Sequence, residues 1–152
     1  MRIEVDQSGK IGSSGPTVLA FSNAIDYKIL IPPAVKRECI EALRLRGRAG
    51  SVFYLQIFSV ALFLLLKDHL AQVTLVVIDQ EYTGRSRDIK GFLINLLSRA
   101  NLAVDADSIR FERIGKQSNA HKKALATLRG DLVPDRVIGT DEILELLIGC
   151  QR

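Results

Sequence analysis

A chain of 152 residues, 47% hydrophobic and 25% charged, is long enough to bury about two-thirds of its unfolded surface and too apolar for a disordered segment. The net charge of +4 and the pI near 9.3 suit a nucleic-acid partner without demanding one, and the lack of tryptophan excludes an aromatic-rich platform for stacking single strands. The two cysteines, Cys39 and Cys150, stand alone without CxxC or a histidine cluster, which excludes a zinc site of ordinary spacing and fits a reducing compartment.

From the N-terminus, Met1 to Asp6 alternates apolar and polar residues, the pattern of a half-buried strand. Ser8-Gly9-Lys10 and Gly12-Ser-Ser-Gly-Pro16 supply turn chemistry. Thr17–Ser22 reads as a second strand, Asn23–Asp26 as a turn and Tyr27–Ile31 as a third strand. Connections this short predict an antiparallel meander. Pro32-Pro33 stops the third strand, and Pro33 opens a helix to about Arg46, with Val35, Cys39, Ala42 and Leu43 on one face. Gly47 and Gly50 break that pattern before an apolar helix from Ser51 to about His69. Its core, Phe53–Leu66, is about 14 residues long, short of the ~18–20 that span hydrocarbon. Gln56 and Ser59 interrupt it, so a central buried helix is expected instead of a membrane span.

The period then changes. Val73–Ile78 is a continuous run rich in β-branched residues that ends at Asp79, as in a strand covered on both faces. Asp88 to about Ala100 is an amphipathic helix with Ile89, Phe92, Leu93, Leu96 and Leu97 inward, and Ser108–Ile114 alternates as a fifth strand. Asn119 to about Arg129 is a further helix, and Thr140 caps a last one over Asp141–Ile148. The order β-β-β-α-α-β-α-β-α-α predicts a single α/β domain over residues 1–152: three antiparallel strands followed by βαβ units, forming a mixed five-stranded sheet flanked by helices. The first residues form a strand pattern and not an export signal, so a cytoplasmic location without a membrane partner is expected. The oligomeric state is open.

Asp6 ends the first strand and Asp79 the fourth. If those strands lie side by side and parallel, both carboxylates emerge at one sheet edge, outside the carboxyl ends where open α/β sheets bind ligands. Two such carboxylates repel by on the order of 4 kcal/mol at an effective dielectric near 20. They share a proton or bind a hard cation, Mg²⁺ or Mn²⁺. The plainer alternative makes each a strand-end turn residue. Nothing in the glycine spacing offers a nucleotide-binding rival, since neither GxGxxG after a strand nor GxxxxGK[ST] is present, and no serine or cysteine stands in a nucleophile elbow.

The stretch Ile3-Glu-Val-Asp-Gln-Ser-Gly9, with its aspartate before a small glycine-containing turn, resembles the ribonuclease-H-like superfamily, and the order of elements over about residues 1–130 is similar. Asp79 falls at that family's fourth-strand aspartate. Ile114-Gly-Lys-Gln-Ser-Asn-Ala-His-Lys-Lys-Ala124 resembles its final catalytic stretch, which puts His121 in the place of the last metal ligand. The resemblance implies a catalytic, metal-binding set of Asp6, Asp79 and His121, similar to that of Argonaute-type nucleases. It departs at the helix after the third strand, where many members carry a glutamate: Tyr54 or Gln56 stands there. Glu38, Glu41 and Glu81 are further candidates for that ligand, although a solvated surface charge is the plainer reading of each. Lys10, Arg85, Arg87, Lys116, Lys122 and Lys123 surround the proposed site in sequence and are candidates to engage phosphates. The expectation is a metal-dependent nuclease acting on RNA, DNA or a hybrid. The alternatives are a non-catalytic domain of the same fold that binds nucleic acid or a protein partner, and an unrelated small-molecule α/β enzyme.

Overall fold

The computed structural model describes residues 1–47 and 50–148; Cys150 lies outside them. The three N-terminal strands, β1 (Arg2–Ser8), β2 (Thr17–Ser22) and β3 (Asp26–Ile31), form the expected antiparallel meander. After helices α1 (Pro33–Leu45) and α2 (Gly50–Leu66), strand β4 (Leu75–Asp79) returns parallel to β1. Helix α3 (Ser86–Arg99) leads to β5 (Ile109–Glu112), parallel to β4. Helix α4 (Asn119–Leu128), strand β6 (Arg136–Val137) and helix α5 (Thr140–Ile148) complete the order.

Among the described residues the sheet has six strands, in the order β5-β4-β1-β2-β3-β6, where the sequence predicts five. The addition is β6, which runs parallel to β3 through Ile29/Arg136 and Leu30/Val137. Asp135 fixes its approach: its carboxylate accepts from the Lys28 amide at 2.8 Å and its own amide donates to the Lys28 carbonyl at 2.8 Å. Two residues carry no alternation, so no period reveals such a strand.

Side-chain alternation assigns the two sheet faces. Ile3, Val5, Leu19, Phe21, Ile29, Ile31, Val76, Ile78 and Ile109 join one large core with α2. This helix is apolar on all sides because the sheet, α1, α3 and α5 surround it. Gly50, expected to break a helix, instead lies in its first turn. Gly47 does end a helix: its φ of +76° and its bond to the Arg44 carbonyl at 2.9 Å close α1 in the left-handed conformation that glycine adopts freely. On the other face α4 packs across β1, β2 and β3, with Val18, Ala20 and Ala124 as a small second core. None of the helices is long and apolar enough to cross a membrane, among the described residues.

Candidate metal centre

The parallel register pairs Val5 with Ile78. The next residues along, Asp6 and Asp79, therefore lie side by side at the carboxyl ends of adjacent strands and point to the face that α4 covers in part. Glu81 follows after a tight turn in which its amide donates to the Asp79 carbonyl at 3.0 Å. Carboxylate oxygens of Asp6, Asp79 and Glu81 all lie within 4.8 Å of one another, the one such donor group among the described residues.

Each carboxylate is held. Asp6, 3% exposed, accepts from the Gln7 amide through Oδ1 at 2.8 Å and lies 2.7 Å from Nδ1 of His121 through Oδ2. Asp79 accepts from the Ile114 amide at 2.7 Å, which ties it to the loop after β5. His121 is carried in the first turn of α4, whose start is set by Ser118. The Ser118 hydroxyl accepts from the Ala120 amide at 3.2 Å as N-cap and donates to Glu4 of β1 at 2.9 Å. His121 thus meets the cluster through Asp6, and the three grouped ligand atoms are all carboxylate oxygens.

The electrostatics follow from crowding. Burial raises the Asp6 carboxyl above the usual carboxylate range, opposed by its bonds to Gln7 and His121 and reinforced by the Asp79 charge. Glu81 is pushed up to about 7, by burial first, then by its hydrogen bond with Asp79 and the charges of Asp79 and Asp6, against a smaller opposing pull from Lys10. A carboxylic acid pushed up beside two other carboxylates exchanges its proton for a cation when one binds. Three carboxylate oxygens this close together are placed to bind a metal ion.

Of the other candidates, Glu38 and Glu41 are exposed on α1; Glu38 accepts from the Thr140 hydroxyl of α5, and neither joins the cluster. Tyr54 of α2 lays its ring against Gly12 of the β1–β2 loop, and Gln56 is half-buried on the same helix. Among the basic candidates, Lys10 is exposed and near enough to act on Glu81, and Lys116 is exposed in the loop that binds Asp79. Arg87 and Lys122 are exposed on α3 and α4. Arg85 is paired with Asp88 at 3.0 Å. Lys123 is paired at 3.3 Å with Asp26, at the first residue of β3, which the register places at the sheet end away from the cluster.

Two residues with no part in the sequence reading shape the loop beside the cluster. Lys36 of α1 is 2% exposed, and its ammonium donates to the carbonyls of Lys10 and Ser13 at 3.0 and 2.8 Å and to the hydroxyls of Ser13 and Thr17 at 3.3 and 3.2 Å. Tyr82, its ring 4.9 Å from that of Phe58, receives the Ile11 amide on its hydroxyl at 3.4 Å and meets the Gln7 side chain at the same distance. A signal for Lys36 existed: it stands at i−3 and i−7 from Cys39 and Leu43, the other buried residues of α1.

No protein-family model matches the chain, and no curated protein or solved structure matches it significantly.

Proposed function

We propose that the protein is a metal-dependent nuclease of ribonuclease-H-like fold that hydrolyses phosphodiester bonds of RNA, DNA or a hybrid. The observation that carries this reading is the gathering of Asp6, Asp79 and Glu81 at the carboxyl ends of two adjacent parallel strands, within 4.8 Å. The strand order β5-β4-β1-β2-β3 supports it, since it puts the Asp6 strand at the centre with the Asp79 strand beside it. The third carboxylate comes from Glu81 and not from α2, which answers the departure at Tyr54 and Gln56.

Asp6, Asp79 and Glu81 would hold a divalent Mg²⁺ or Mn²⁺. When bound, such an ion lowers the pKa of water and offsets charge on a leaving oxygen. The protein's own groups do the rest. Burial and the Gln7 and Ile114 amides fix the directions of Asp6 and Asp79. Asp6 orients the His121 ring, whose Nε2 makes no hydrogen bond to the described residues and is free to exchange a proton with a substrate oxygen. Lys10 stands at the rim as a counter-charge for phosphate.

Calorimetry with Mn²⁺ on the wild type, Asp6→Asn and Asp79→Asn tests the reading, followed by incubation with labelled RNA, DNA and hybrid strands. Micromolar binding lost in both variants, with metal-dependent cleavage lost in parallel, is the expected result. A folded wild type that binds no Mn²⁺ overturns it.

A further inference from the structure

The two edges of the sheet are unlike. Edge strand β6 is two residues long and follows closely on Pro134, both devices that discourage pairing with another chain. Edge strand β5 runs over Ile109–Glu112 without proline or glycine. A groove of about 490 Å³ lies along it, between β5 and the first turns of α3.

The hydrogen bonds of β5 decide which groups its outer margin offers. The Glu112 carbonyl accepts from the Gln80 amide at 3.0 Å, and the Ile114 amide donates to the Asp79 carboxylate at 2.7 Å. The even-numbered residues here therefore turn their backbone groups toward β4, and the odd-numbered ones turn theirs outward. The Ile109 amide is taken up by the Ala106 carbonyl. The Ile109 carbonyl, both backbone groups of Phe111 and the Arg113 amide are left without a partner among the described residues.

The side chains narrow the choice of occupant. Arg110 and Glu112 are exposed on the sheet face that carries Asp79, and neither is ion-paired with a described residue. Phe111 is half-buried on the opposite face, against the large core. A second copy laid antiparallel along β5, about a twofold axis at Phe111, sets each Arg110 opposite the other copy's Glu112. The two Phe111 residues exchange both of their backbone bonds, and each Arg113 amide meets the other copy's Ile109 carbonyl. Every open group of the margin is then used. A slide of two residues either way is the smallest that keeps the faces matched, and it puts Arg110 against Arg110 or Glu112 against Glu112.

We propose that the protein is a homodimer joined edge to edge through β5 in this register, with Arg110 and Glu112 paired across the twofold axis. The occupant is a second copy of this chain because the margin is complementary to itself, in charge and in backbone groups alike. The axis stands perpendicular to the sheet, so the dimer has one continuous sheet with both acidic clusters on the same side. The pairing is independent of the nuclease reading.

The test is sedimentation equilibrium of the full chain over a concentration series, on the wild type, Arg110→Glu, Glu112→Arg and the double variant Arg110→Glu/Glu112→Arg. Both positions are exposed, and circular dichroism checks that each variant is folded. The wild type dimerises with a micromolar Kd. Each single variant creates two like-charge pairs across the axis and weakens the dimer by about tenfold or more. The double variant exchanges the partners and recovers wild-type affinity. An equimolar mixture of the two single variants recovers it too, since every pair between unlike copies is again of opposite charge. Hydrogen exchange gives an independent reading: the Phe111 and Arg113 amides are protected at high protein concentration and exchange freely on dilution.

A folded wild type that stays monomeric through the series overturns the proposal. So does a dimer that both single variants leave intact, because it is joined through another surface. Single variants that dissociate without recovery in the mixture overturn the register, and the proposal with it.

Discussion

Nδ1 of His121 lies 2.7 Å from Oδ2 of Asp6, so the histidine reaches the acidic cluster by gripping one of its members. That bond helps to hold the Asp6 carboxyl down against the burial that pushes it up. Removing it in His121→Ala leaves Asp6 harder to ionise, and protons then compete with metal more effectively at low pH. Mn²⁺ affinity in the variant is expected to fall by about tenfold at pH 6 and by much less at pH 8. Calorimetry at both values reads this. An equal loss at the two would make the histidine a direct ligand.

Glu81 couples the same cluster to stability. Its carboxyl rises from 4.5 in the unfolded chain to about 7 when folded, so between those values the native state binds more protons than the unfolded state. The stabilisation is fully present below pH 4.5 and is lost as pH rises through 7. With allowance for solvent screening its size is on the order of 1 kcal/mol. Thermal melts of the metal-free protein should show a lower Tm at pH 8 than at pH 5. Glu81→Gln should flatten that dependence, and Mn²⁺ should raise the Tm most at the higher pH. A Glu81→Gln protein with the wild-type pH profile would locate the effect elsewhere.

Lys36 carries the β1–β2 loop. Lys36→Met keeps the volume but takes the ammonium donor from the Ser13 carbonyl and the Thr17 hydroxyl, while the Lys10 carbonyl keeps the Ser13 amide and hydroxyl and the burial of an ammonium is spared. At about 1–3 kcal/mol for each unsatisfied group, partly offset by that relief, a net loss of about 2–4 kcal/mol is expected in urea unfolding. Limited proteolysis between residues 10 and 16 should accelerate. A midpoint equal to wild type would mean that the ammonium's desolvation cancels its four bonds.

Gly9 provides a sharper local test. Its φ is +77°, and a Cβ placed there would stand 2.3 Å from the Pro16 carbonyl oxygen. Gly9→Ala should destabilise by more than about 1 kcal/mol. Gly12→Ala meets only the Tyr54 ring at 3.5 Å and should change stability by less than about 0.5 kcal/mol. Paired thermal melts decide, and equal effects would show that the turn can open to admit the side chain.

The meander, the buried fourth strand and the placement of Asp6 beside Asp79 were legible because each rests on a local pattern: alternation, a continuous β-branched run and a strand-end acid. Helix α2 was legible from its lack of a polar face. What escaped depends on distant partners. Strand β6 exists only because β3 is there to receive it. Glu81 could be singled out by its spacing from Asp79, yet its crowding rests on burial and on Asp79 first and is completed by Asp6, on a strand more than seventy residues earlier. The predicted inner face of α1 holds at Cys39, Leu43 and the partly buried Val35, but it also takes in Lys36, since a lysine reads as solvent-facing until its four acceptors are seen. Tyr82 likewise gains its role only when the loop after β1 folds over it.

Helix α2 also has a consequence for how the chain is made. Its seventeen residues are synthesised before β4, α3 and α5, so its covering is incomplete until those elements have followed it out. Synthesis at about 5–20 residues per second leaves this sticky segment exposed for several seconds. The nascent chain is therefore a natural client for a ribosome-associated chaperone. Slowing translation after residue 97, when the helix has emerged and α5 is still missing, should lower the folded yield more than slowing it before residue 66.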